Sequence, residues 1–152
     1  MIGGLKKWVA TNLKTASESH SLARNDVELA LAALLVELAR ADFAENPEEF
    51  AEIRDLLARY LKAPERVDAL LKEAGHRADR AVSLHEFTRQ LNAELSEPQK
   101  LEVVEMLWRV SLADGRIDAH EGHLVRKVAG LLHVRERDLV RLKIKVQDGN
   151  PP

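Results

Sequence analysis

The chain has 152 residues, 45% of them apolar, which is enough material for the core of one compact domain. Charged residues make up 32%, yet the formal net charge is only −2, so no polyanion-binding field exists and nucleic acid is not an expected partner. Cysteine is absent, which excludes disulfides and thiolate metal sites and fits a cytoplasmic setting.

At the N-terminus Ile2, Leu5, Trp8, Val9 and Leu13 recur at helical intervals and predict an amphipathic helix within residues 1–20. Lys6 and Lys7 stand among its apolar positions and no small-residue cleavage site follows, unlike a signal peptide. With Trp8 and Lys14 they suit docking on the remaining helices or, as the alternative, peripheral contact with an anionic membrane surface. The next helix is predicted from Asn25, with Glu28 completing a capping box, to about Ala41. Its run LALAALLVELA, residues 29–39, is too short to span a bilayer.

Asn46-Pro47-Glu48-Glu49 offers a cap, a proline at the first helical position and an acid at the third, and predicts a helix to about Leu61. Pro64 opens another, predicted to end near Gly75. Ser83 with Glu86, Ser96 with Gln99 and Asp118 with Glu121 mark three further starts, and a last helix is predicted over Arg135–Val146. The ending GNPP predicts a disordered tail over 149–152. No period-two run of β-branched and aromatic residues occurs. The fold class is therefore all-α, a single-domain bundle of about seven to eight helices.

An internal repeat emerges when the chain is shifted against itself by 72 residues, which lays Ala41-Asp42 on Ala113-Asp114, Asn46 on Asp118 and Glu49 on Glu121. Ile53 then falls on Val125, Val67 on Leu139 and Leu70 on Leu142. In each half a strongly apolar helix ends in an acidic corner that leads into a capped amphipathic helix. Helices apolar nearly all round are expected to be buried, so residues 29–41 and 101–113 are predicted to be central in a pseudo-two-fold arrangement.

The repeated acidic corner, ADGRIDAHE in its second copy, together with SLHEFTRQLN and LWRVSLADG, resembles the TerB-like family named for tellurite resistance. The similarity runs roughly from residue 25 to 145, so residues 21–148 are taken as the TerB-like helical domain. The resemblance implies an internally duplicated all-helical domain, an association with membrane-linked stress or metal-response systems, and acidic corners able to take a divalent metal. In the first copy Phe43 stands where glycine is usual in the family.

The second corner can be read in two ways. Asp114-Gly115-Arg116-Ile117-Asp118-x-x-Glu121 matches the later half of an EF-hand loop, whereas Val110 and Leu112 occupy the places of the first oxygen ligands. Calcium takes about six to eight oxygens. A metal site would thus combine Asp114, Asp118 and Glu121 with water, or with Asp42 and Glu49 if the two corners converge. The other reading needs no ion: Asp118 caps a helix, Glu121 reaches back from the third helical position, Gly115 supplies a left-handed turn and Asp114 bonds local amides. Such a cap contributes on the order of 1 kcal/mol, sufficient to account for these residue types.

His120 and His123 lie three apart on one helix, but no H-E-x-x-H or repeated Glu-x-x-His accompanies them, so they read as first-turn histidines. No Gly-rich phosphate loop, nucleophile elbow or cysteine is present, and Glu102 and Glu105 suit the first turn of a helix. The expected protein is not an enzyme and has no catalytic residues. It is a binding or scaffold module with a protein partner, and a divalent-metal-binding domain holding Ca²⁺ or a similar ion is the alternative. The last helix, with Arg135, Arg137, Arg141, Lys143 and Lys145, reads as a packed helix with a solvated basic face, or as a surface for an acidic protein.

Overall fold

The computed structural model describes residues 25–41, 47–81 and 83–149, and every regular element among them is a helix. The helix predicted within 1–20 lies outside the described residues, as do Asp42 and Asn46.

Helix α1 (25–40) holds the most apolar run of the chain, and Leu31, Leu34, Leu35 and Leu38 are buried with Ala32, Ala33 and Ala39 between them. Its polar groups leave the core through two ion pairs. Buried Glu28 receives Arg66 at 2.7 Å, and Arg40 donates to Asp79 at 2.6 Å. Asn25 is already helical and the Glu28 carboxylate turns to a distant arginine, so a tertiary contact stands where a local capping box was expected.

Helix α2 (Pro47–Leu61) starts at the expected proline and buries Glu49, Ile53, Leu56 and Leu57. After Lys62 a 3-10 turn at Pro64–Arg66 leads into α3 (Val67–Arg80), which continues beyond the end predicted near Gly75. The reason is packing. Ala74 and Ala78 are buried on either side of Gly75, and the Arg40 guanidinium passes 3.7 Å from where a Cβ would stand. These contacts outweigh the cost of about 1 kcal/mol that glycine brings to a helix interior.

Helix α4 (His85–Glu94) follows, then α5 (Glu97–Ser111), α6 (Ala119–Leu131) and α7 (Glu136–Gly149). The last helix runs three residues past the predicted Val146. Helix α5 packs against α2, α6 and α7, while α3 lies on α2, α4 on α6, and α6 on α7. Both apolar runs are buried as their composition requires: α5 sinks Val103, Val104, Met106, Leu107, Trp108 and Val110. Trp108 also ties α5 to α7, since its Nε1 donates to the Leu139 carbonyl at 3.1 Å and Lys143 stands over its ring. Asn92 of α4 donates to the Leu131 carbonyl of α6 at 2.8 Å.

Candidate functional site

The corner between α5 and α6 is built almost wholly by local chemistry. Helix α5 ends at Ser111, whose hydroxyl donates back to the Leu107 carbonyl at 2.9 Å, and buried Leu112 closes it. The chain then reverses through Gly115 at φ +90°, a left-handed conformation that a Cβ would strain. The Asp114 carboxylate accepts from the Arg116 amide at 3.0 Å, closing an Asx turn across that glycine. Asp118 caps α6 by accepting from the His120 amide at 2.7 Å. Ile117 folds over the first turn of α6, with its Cγ2 3.4 Å from the position a Cβ on Gly122 would take.

Glu121 behaves differently from its neighbours. Asp114, His120 and His123 are exposed, but Glu121 is 1% exposed. Glu49, which the 72-residue shift lays on it, is 0% exposed. Each is the third residue of its helix, α6 and α2 respectively, where the unpaired backbone amides and the helix dipole favour negative charge. Spacing alone contained this signal. Glu121, Val125 and Val128 on α6, and Glu49, Ile53 and Leu56 on α2, follow one another at intervals of three and four, so each glutamate begins a core stripe. Neither the cap reading nor the metal reading of the two specified their burial.

Asp114, Asp118 and Glu121 thus share one corner with three separate orientations: an exposed turn, a helix cap and the core. Among the described residues no group of three or more histidine, aspartate or glutamate side chains lies close enough to hold an ion. Asp42, the fourth carboxylate of the predicted metal set, lies outside the described residues, and the fifth, Glu49, is in the core. The donor type is nevertheless that of a hard cation, all carboxylate oxygen with no thiolate.

Two carboxyl groups outside the corner have shifted pKa values. On α5, burial alone would raise the Glu105 carboxyl, but Lys145 at 2.9 Å and Arg109 at 3.2 Å outweigh it and hold the group below its ordinary value. Glu37 is raised, chiefly by burial in α1, with Arg40 acting in the opposite sense.

The family model described as "Tellurite resistance protein TerB" matches residues 28–144, most of the chain and both corners. The chain belongs to the TerB family. No curated protein and no solved structure matches it. In this TerB-family chain, the matched region begins at buried Glu28 in the first turn of α1 and ends at Ile144 in α7. Among the described residues no helix is long and apolar enough to cross a membrane.

Proposed function

We propose that this TerB-family chain is a non-enzymatic helical binding or scaffold module, working in a cytoplasmic stress- or metal-response complex of the tellurite-resistance type with a protein as its partner. The observation that carries this reading is the structural use of the second corner. Asp114 and Asp118 bond backbone amides at 3.0 and 2.7 Å and thereby set the turn and start α6. Their residue types follow from the fold without reference to a ligand. Peripheral membrane contact through the Lys6, Lys7 and Trp8 segment belongs to the same proposal.

A second reading is a divalent-metal-binding domain using Asp114, Asp118, Glu121, Asp42 and Glu49. The donor chemistry favours it, since all five side chains are carboxylates and hard divalent cations take oxygen ligands. Bound metal would supply charge neutralisation, and holding it would require Asp114, Asp118 and Glu121 to converge, which their three orientations among the described residues do not provide.

Thermal unfolding in chelator, and then with Ca²⁺, Mg²⁺, Mn²⁺ or Zn²⁺, separates the two. The module reading expects the same melting temperature throughout. An ion bound only by the folded state, at about 100 times its dissociation constant, adds roughly 2.7 kcal/mol. Such a shift, abolished in Asp114→Asn, would overturn the module reading in favour of the metal one.

A further inference from the structure

Helices α3 and α4 diverge, α3 lying on α2 and α4 on α6. Between them runs a groove of about 780 Å³ that has the first turns of α1 in its wall. Leu29, Ala30, Ala81, Phe87 and Ala93 give it an apolar lining, with Ala30 and Phe87 buried and Ala93 exposed. Three acids, Asp26, Glu73 and Glu86, and three arginines, Arg77, Arg80 and Arg89, stand around it. With the two signs balanced, the groove has no net field to select a small ion or a highly charged polymer. An apolar lining inside a mixed polar rim is the kind of surface that takes an amphipathic helix.

The chain supplies such a segment. Asn25 is the first described residue and Asp26 stands in the groove wall, so residues 1–24 join the bundle at the rim of this groove. Their apolar residues Ile2, Leu5, Trp8, Val9 and Leu13 share one helical face, and Lys7 and Lys14 fall opposite it. Residues 15–24, TASESHSLAR, join that stripe to α1. A polar tether of this length has an r.m.s. span of roughly 16–19 Å, which holds the stripe near surfaces around Asn25 at an effective concentration of about millimolar. The groove lies within that span, since its wall includes the next residue. The TerB match begins only at residue 28, so the segment precedes the shared domain.

We propose that the N-terminal segment docks in the groove between α1, α3 and α4 of its own chain, with Trp8 as the apolar anchor and Lys7 and Lys14 in solvent. A helix of about a dozen residues is marginal alone in water, so the segment gains its helix from this docking. One apolar face cannot serve a groove and a bilayer at once. Membrane contact through Trp8 therefore requires release of the segment and uncovers the groove.

The absence of cysteine lets a single nitroxide label be placed cleanly on the full chain, through Arg89→Cys on the exposed wall of α4. The expected NMR result is a loss of amide signal intensity over residues 5–13 that reverses when the nitroxide is reduced. Trp8→Asp should abolish that loss and leave the signals of α5, α6 and α7 in place, which verifies the fold. A label at Arg137→Cys, on the exposed side of α7, should leave residues 5–13 unaffected. An isotope-labelled chain without nitroxide, mixed with an equal amount of the nitroxide-bearing chain, should show no loss either. Residues 5–13 untouched by the Arg89 label, a loss that survives Trp8→Asp, or an equal loss from the α7 label would overturn the proposal. So would a loss that appears in the mixture, which would assign the groove to the segment of a second copy.

Discussion

At the start of α5, Ser96 accepts from the Gln99 amide at 3.4 Å and its own amide donates to the Gln99 side chain at 2.8 Å, a closed capping box. At the start of α4, Ser83-x-x-Glu86 has the same spelling, yet the cap position belongs to Leu84, whose backbone is already helical and which provides no side-chain cap. The two starts differ in what surrounds them. Phe87, Thr88 and Leu91 are buried, and Asn92 is tied to the end of α6. Those tertiary anchors determine where α4 begins. Ser96 follows the end of α4 in extended backbone, as a capping residue should. The lesson is that a capping signature operates only when tertiary packing leaves its first residue outside the helix.

The largest test of that contrast lies deeper in α5. Trp108→Ala removes a 1% exposed side chain and the bond to Leu139, and should destabilise the protein by about 3–5 kcal/mol in denaturant unfolding. A loss below about 1 kcal/mol would mean that α5 is not the centre of the bundle. Ser96→Ala should cost about 1 kcal/mol by the same measurement, the usual value of a lost cap.

The ion pairs of α5 provide a pH-dependent test of smaller size. Lys145 and Arg109 hold the folded-state pKa of Glu105 below its unfolded value. The contribution is therefore present above the unfolded pKa and lost as pH falls through the folded one. Glu105→Gln should cost up to about 1 kcal/mol near neutral pH, and its difference from the natural protein should shrink in acid. A difference that grew on acidification would reverse the assignment. The smallest effect belongs to α4: Ser83→Ala should stay within about 0.5 kcal/mol, because the cap position of that helix belongs to Leu84. An equal cost at Ser83 and Ser96 would erase the distinction between the two starts.

Much of the corner was legible in the chain itself. The left-handed Gly115, the Asp118 cap and the Asp114 turn are interactions spanning a few residues, and so are specified by the residues in sequence. The burial of Glu121 and Glu49 was harder to see, because a glutamate at the third position of a helix satisfies a capping pattern equally well in water or in the core. Its position at the head of an apolar stripe was the available signal.

By itself the sequence determined that the chain is helical, where most helices start, that the two apolar runs lie inside, and which family the pattern resembles. These follow from periodicity, caps and composition, all of which act over one or two turns. Only the tertiary structure decided that α3 passes through Gly75, that Glu28 pairs with Arg66, and that the cap position of α4 falls on Leu84 and not on Ser83. It also decided that α7 presents a second apolar stripe outward while its first one packs inward. In each case contacts between residues far apart in the chain compete with a local preference of about 1 kcal/mol, and burial is the stronger term.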